Sequence, residues 1–142
     1  GNVGLDGDIT IGNTLRKVLF NGAAIEDMTK IRMGYMSGYG ISLTSSSSVI
    51  DAPGAIVHIT PNANDLPITR IKIGGSNPSN GDILILVNTT SNLNIKINST
   101  ATVNNGYFRA LRGQTSMNFR EGSAIPIIYS GGYWSILGMV DF

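Results

Sequence analysis

Ser130-Gly-Gly-Tyr-Trp-Ser-Ile-Leu-Gly138 is the stretch on which the fold turns. Gly131-Gly132 reads as a turn between two apolar runs, Ala124 to Tyr129 and Tyr133 to Met139. Alternation along an extended chain sends neighbouring side chains to opposite faces, so Trp134 and Ile136 share one face and Tyr133 the other. Trp134 is expected as the core anchor of the last strand, with Tyr133 as its exposed neighbour.

The same grammar continues upstream. Tyr107 to Leu111 and Gln114 to Phe119 read as strands, with Asn104-Asn-Gly106 as a turn. Leu93, Ile95 and Ile97 alternate with Asn94, Lys96 and Asn98. Ile83 to Val87 is an unbroken apolar run of strand length, which predicts cover on both faces. Ile71 and Ile73 are predicted inward, with Arg70 and Lys72 outward; Gly74 to Gly81 is a polar loop. Ala55, Val57 and Ile59 form one face of a further strand, with Ile56, His58 and Thr60 on the other, and Pro61 ends it. Strands this short and closely spaced predict a mostly β chain with an antiparallel, jelly-roll-like sandwich over residues 51–142.

Residues 1–50 have a different character, that of a short elongated shaft or neck. Gly1, Gly4 and Gly7 make a glycine-rich entry. Residues 13–34 hold the one helix candidate, but Val18-Leu-Phe-Asn-Gly22 reads better as a strand entering an Asn-Gly turn. Gly34-Tyr-Met-Ser-Gly-Tyr-Gly40 permits close backbone approach, and Ser45 to Ser48 is a loop. Because the chain opens on Gly1 rather than Met, it is expected to be a fragment or a processed product.

Composition narrows the function classes. The chain has 142 residues, 13% charged, and a formal net charge of +1. Its ten Lys and Arg are scattered, which opposes a nucleic-acid footprint or a polybasic membrane anchor. No apolar run is long enough to span a membrane as a helix. The absence of cysteine rules out disulfides and cysteine-ligated zinc. Asn, Ser and Thr number 14, 14 and 11, which suits a neutral, hydrogen-bonding surface with many turns. Short strands expose unpaired backbone groups that charge or proline usually protects. With charge this sparse, association is the expected remedy, and a parallel homotrimer is the expected form.

Gly81-Asp-Ile-Leu-Ile-Leu-Val-Asn-Thr-Thr90, Leu93-Asn-Ile-Lys-Ile97 and Phe119-Arg-Glu-Gly-Ser-Ala-Ile-Pro-Ile-Ile-Tyr-Ser-Gly-Gly-Tyr-Trp-Ser-Ile-Leu-Gly138 together carry a resemblance. This order of strands and corners resembles the C-terminal head domains of bacteriophage fibres and related receptor-binding proteins. The resemblance implies a trimeric virion protein, with a shaft leading to a β-sandwich tip. It also implies partners: other copies of the chain, further virion proteins on the N-terminal side, and a bacterial surface glycan or protein.

Catalytic chemistry finds little footing. His58 is the one histidine, and no Gly-x-Ser-x-Gly elbow accompanies it. On a threefold axis, three copies of His58 could hold a metal ion; otherwise no metal or cofactor is expected. Asp82 and Glu121 stand beside Gly81 and Gly122, as turn residues do, rather than as a glycosidase pair. Binding is the remaining class. Sugar recognition uses aromatic faces ringed by amide partners, and Tyr35, Tyr39, Asn104, Asn105, Tyr107 and Tyr133 are the candidates. The expectation is therefore a non-enzymatic phage fibre tip for host attachment. The alternatives are a structural capsid fibre or decoration protein, and a fragment of a polysaccharide depolymerase.

Overall fold

The computed structural model describes residues 40–109 and 113–138. The entry segment, the Asn21-Gly22 turn, Tyr35 and Tyr39 lie outside the described residues. All of the described residues belong to one compact unit, Arg32–Phe142. Among them are ten strands and no helix, as the period-two pattern predicts: β1 (Ile41–Leu43), β2 (Val49–Ala52), β3 (Ile56–Pro61), β4 (Leu66–Ile68), β5 (Arg70–Ile73), β6 (Ile83–Asn88), β7 (Ile95–Asn98), β8 (Ser116–Phe119), β9 (Ala124–Ser130) and β10 (Tyr133–Ile136).

The strands form three sheets, ordered β1-β3-β6-β9-β10, β4-β7-β8 and β2-β5. Pairing is parallel for β1 with β3, β3 with β6, β2 with β5 and β4 with β7. It is antiparallel for β6 with β9, β9 with β10 and β7 with β8. The expected antiparallel succession is thus met only in the closing strands. The reason is connectivity. Parallel neighbours need a long crossover, and here the crossover is itself made of strands in the other sheets. From β3 the chain passes through β4 and β5 before returning as β6. After β7, Tyr107 forms an antiparallel bridge back to Arg70 of β5. The chain therefore winds as a short coil of stacked strands, which β8, β9 and β10 close.

Stacking places like residues side by side. Leu66, Ile95 and Phe119 stand in one row, and Ile68, Ile97 and Met117 in the next. Ile50 pairs with Ile71, and Val57 with Leu86. All are buried and belong to one apolar cluster shared by the three sheets. Each such side chain contributes about 1.5–3 kcal/mol of burial. Trp134 is the largest of them. It is fully buried, edge-on to Tyr129 at 5.3 Å, and its indole N–H donates to the Ile71 carbonyl at 3.1 Å. It is the core anchor that alternation predicts.

Two expectations are corrected. Ile83 to Val87 is covered on one face only. Leu84 and Leu86 are buried, whereas Ile83 is 47% exposed and Ile85 and Val87 are half-buried on the outer side. The run is apolar on both faces, yet only the inner one meets the core. The boundary expected at residue 50 passes through β2, which pairs along its length with β5. β1 and β2 are part of the coil because their Leu43, Ile50 and Ala52 enter the same apolar cluster.

Candidate functional site

Three turns from separate parts of the chain enclose a cleft of about 410 Å³, within the size range of small-ligand sites. The β5–β6 loop supplies Asn77, Pro78 and Asn80; the turn before Tyr107 supplies Asn104 and Asn105; the β9–β10 turn supplies Gly131 and Gly132. Tyr129, on the inner side of β9, completes the wall.

The 104–106 turn is local chemistry with a tertiary lock. Asn104, Asn105 and Gly106 all have positive φ, at 67°, 62° and 84°. Asparagine tolerates this region better than other side-chain-bearing residues, and glycine adopts it freely. At Gly106 the requirement is also spatial: a Cβ there would sit 2.1 Å from the Ile71 carbonyl oxygen. The bare backbone can therefore approach β5, and the Gly106 carbonyl accepts the Ile71 N–H at 2.8 Å. On the other wall, the Asn104 N–H donates to the Gly132 carbonyl at 2.8 Å. The Gly131 N–H donates to Asn80 Oδ1 at 3.2 Å.

Arg70 organises the amides. Its Nε donates to the Asn105 carbonyl, and its Nη2 donates to Asn77 Oδ1 at 2.8 Å. A guanidinium can only donate, so Asn77 must turn its oxygen to Arg70 and its amide nitrogen away. That nitrogen donates to Asn105 Oδ1 at 2.9 Å. Asn105 is left with its own amide N–H groups uncommitted among the described residues. Asn80 ends the same way, with its oxygen taken by Gly131. Arg70 thus sets the polarity of Asn77 and Asn105, and the Gly131 N–H that of Asn80, which leaves amide donors of Asn80 and Asn105 for the cleft. Arg70 also lies over the Tyr107 ring, 5.4 Å from its centroid, in a cation–π contact.

Of the residues singled out from sequence, Asn104 and Asn105 line the cleft. Tyr107 stands behind it, held by Arg70. Tyr133 does not line it: its hydroxyl donates to the Ala101 carbonyl at 3.0 Å, and Arg109 stacks on its ring at 5.2 Å. Tyr35 and Tyr39 lie outside the described residues. Asn77, Asn80, Gly131 and Gly132 were legible only as turn residues. Nothing local marks them as a set, because winding and strand closure bring them together.

His58 is half-buried on the outer face of β3, in register with Val87. Asp82 Oδ2 accepts the Ser79 N–H at 2.8 Å, within its own turn. Glu121 is exposed in a separate turn, where its N–H donates to Asn94 Oδ1 at 3.3 Å. Among the described residues, no three His, Cys, Asp or Glu side chains gather as a metal-ligand set.

Comparison of the chain with family models, curated proteins and solved structures returned no match. The functional reading accordingly rests on the residues and their geometry.

Proposed function

We propose that this chain is a non-enzymatic, homotrimeric fibre protein of a phage virion, whose β-rich tip contacts a glycan or protein on the host cell surface. The cleft between the three turns carries this reading. It is concave, polar and amide-lined, with tyrosines behind it, which suits recognition of hydroxyl-rich ligands. Loops held by a packed scaffold are where binding residues concentrate. A shaft or neck upstream of β1, docking to other virion proteins, belongs to the same proposal.

Association draws support from the outer face of the five-stranded sheet. Ile56, Ile85 and Pro126 stand in register there, with Ile83 and Ile128 paired beside them. These side chains are half-buried or exposed and carry no charge, and apolar patches of this kind mark contact surfaces. Burying them between copies would supply the second cover that the Ile83 to Val87 run predicts.

The test is adsorption of labelled protein to host cells in competition with excess free protein, with the mass measured by light scattering at micromolar concentration. Saturable binding by a species of three chains is expected. A monomer mass overturns the trimer, and binding that excess free protein does not displace overturns the attachment role.

A further inference from the structure

We propose that the cleft takes an acidic glycan, a polysaccharide segment bearing carboxylate or phosphate groups; this rests on reading the cleft as a glycan site. The lining side chains offer donors in excess. Asn80 and Asn105 have their oxygens engaged by Gly131 and Asn77, which leaves amide N–H groups for a ligand. Among the described residues, no carboxylate lines the cleft. Asp82, on the turn beside Asn80, directs Oδ2 to the Ser79 N–H.

Two guanidinium groups flank this donor surface. Arg70 spends Nε and one Nη2 N–H on the Asn pair, and its other N–H groups remain. Arg109 is exposed and does not itself line the cleft, but its Nη2 lies 3.9 Å from the point a Cβ on the cleft residue Gly131 would occupy. Each arginine is stacked on a tyrosine, Arg70 on Tyr107 and Arg109 on Tyr133. Neither forms an ion pair with a described carboxylate. Stacked, unpaired guanidinium groups beside amide donors match anionic oxygens, which accept several hydrogen bonds at once. A neutral sugar would leave both positive charges without a counter-charge.

Calorimetric titration of the full chain at low salt tests this with three probes: a galacturonate hexamer, a glycerol-phosphate oligomer and the neutral maltohexaose. At least one acidic probe is expected to bind ten times or more tighter than maltohexaose, and to weaken as salt is raised. The two acidic probes separate carboxylate from phosphate as the preferred group. Asn105→Asp replaces the free amide by a carboxylate of the same shape, one that can still accept from Asn77 and tolerates positive φ. It is expected to lower acidic-probe affinity at least tenfold with an unchanged or higher unfolding midpoint. Arg109→Gln, at an exposed position, is expected to weaken the same probe severalfold.

Equal or tighter binding of maltohexaose overturns the inference and leaves the glycan reading standing. Acidic-probe binding unaffected by Asn105→Asp also overturns it. Binding of none of the probes overturns it as well, and the cell-adsorption measurement then decides the attachment role separately.

Discussion

The parallel coil, β1 to β7, and the antiparallel closure, β8 to β10, are made of the same kind of strand but held in different ways. In the coil, successive turns lay isoleucine and leucine over one another, and each row depends on its neighbours for cover. The closure supplies large residues: Phe119 ends the Leu66–Ile95 row, and Tyr129 and Trp134, paired with each other, join the same apolar cluster. Between the two lies Asn88, at the end of β6, the strand that is parallel to β3 and antiparallel to β9. It is 1% exposed. Its amide nitrogen donates to the Leu93 carbonyl at 2.8 Å and the Phe119 carbonyl at 3.3 Å, and its oxygen accepts from Thr90. The coil is thus an additive stack, whereas the closure depends on a few anchors.

The difference can be probed by breaking each part. Trp134→Ala should have the largest effect, a loss of about 3–5 kcal/mol in urea unfolding, because it removes the closure's anchor and leaves the Ile71 carbonyl without its indole partner. Ile97→Ala, within a coil row, should cost about 2–4 kcal/mol in the same measurement. A loss at Ile97 exceeding that at Trp134 would reverse the assignment of anchor and stack. Asn88→Ala, at the junction, should cost about 1–3 kcal/mol, through the amide donors lost to the Leu93 and Phe119 carbonyls, the first of which keeps the Thr90 hydroxyl, and the loss of the acceptor for Thr90. Ile85→Ser, on the outer face, should change the stability of a single chain by less than about 1 kcal/mol. Its effect should instead appear in the mass measurement, as a shift towards smaller species.

The strand faces were legible in the sequence, and the strand neighbours were not. Alternation places Val57, Ile59, Ile71, Ile95, Ile97 and Trp134 inward without any tertiary information, since a period of two depends only on the pleat. It carries no record of direction. Ile41 pairs in parallel with Ile59, and Ile83 pairs antiparallel with Ile128, by the same inward-and-outward rule. The two-sided apolar run at Ile83 to Val87 was read correctly as chemistry and wrongly as cover within one chain. At the cleft, Asn104 and Asn105 were visible because Asn-Asn-Gly announces a turn with positive φ. Asn77 and Asn80 were hidden because their partnership with that turn runs through Arg70 and Gly131, distant in sequence. Tyr133 was read as an exposed aromatic face, but its ring carries Arg109 and its hydroxyl is tied to Ala101.

Trp134 has one more consequence. It is the one tryptophan in the chain, and its indole is bonded to the middle of the coil from the last strand of the closure. Its fluorescence is therefore a built-in gauge of whether closure and coil are docked. An apolar, water-free surrounding should give blue-shifted emission in the native protein, moving to the red as β10 departs. Tyr129, edge-on to that indole, also lines the cleft. Occupation of the cleft should thus be readable as a change in emission, with no label attached.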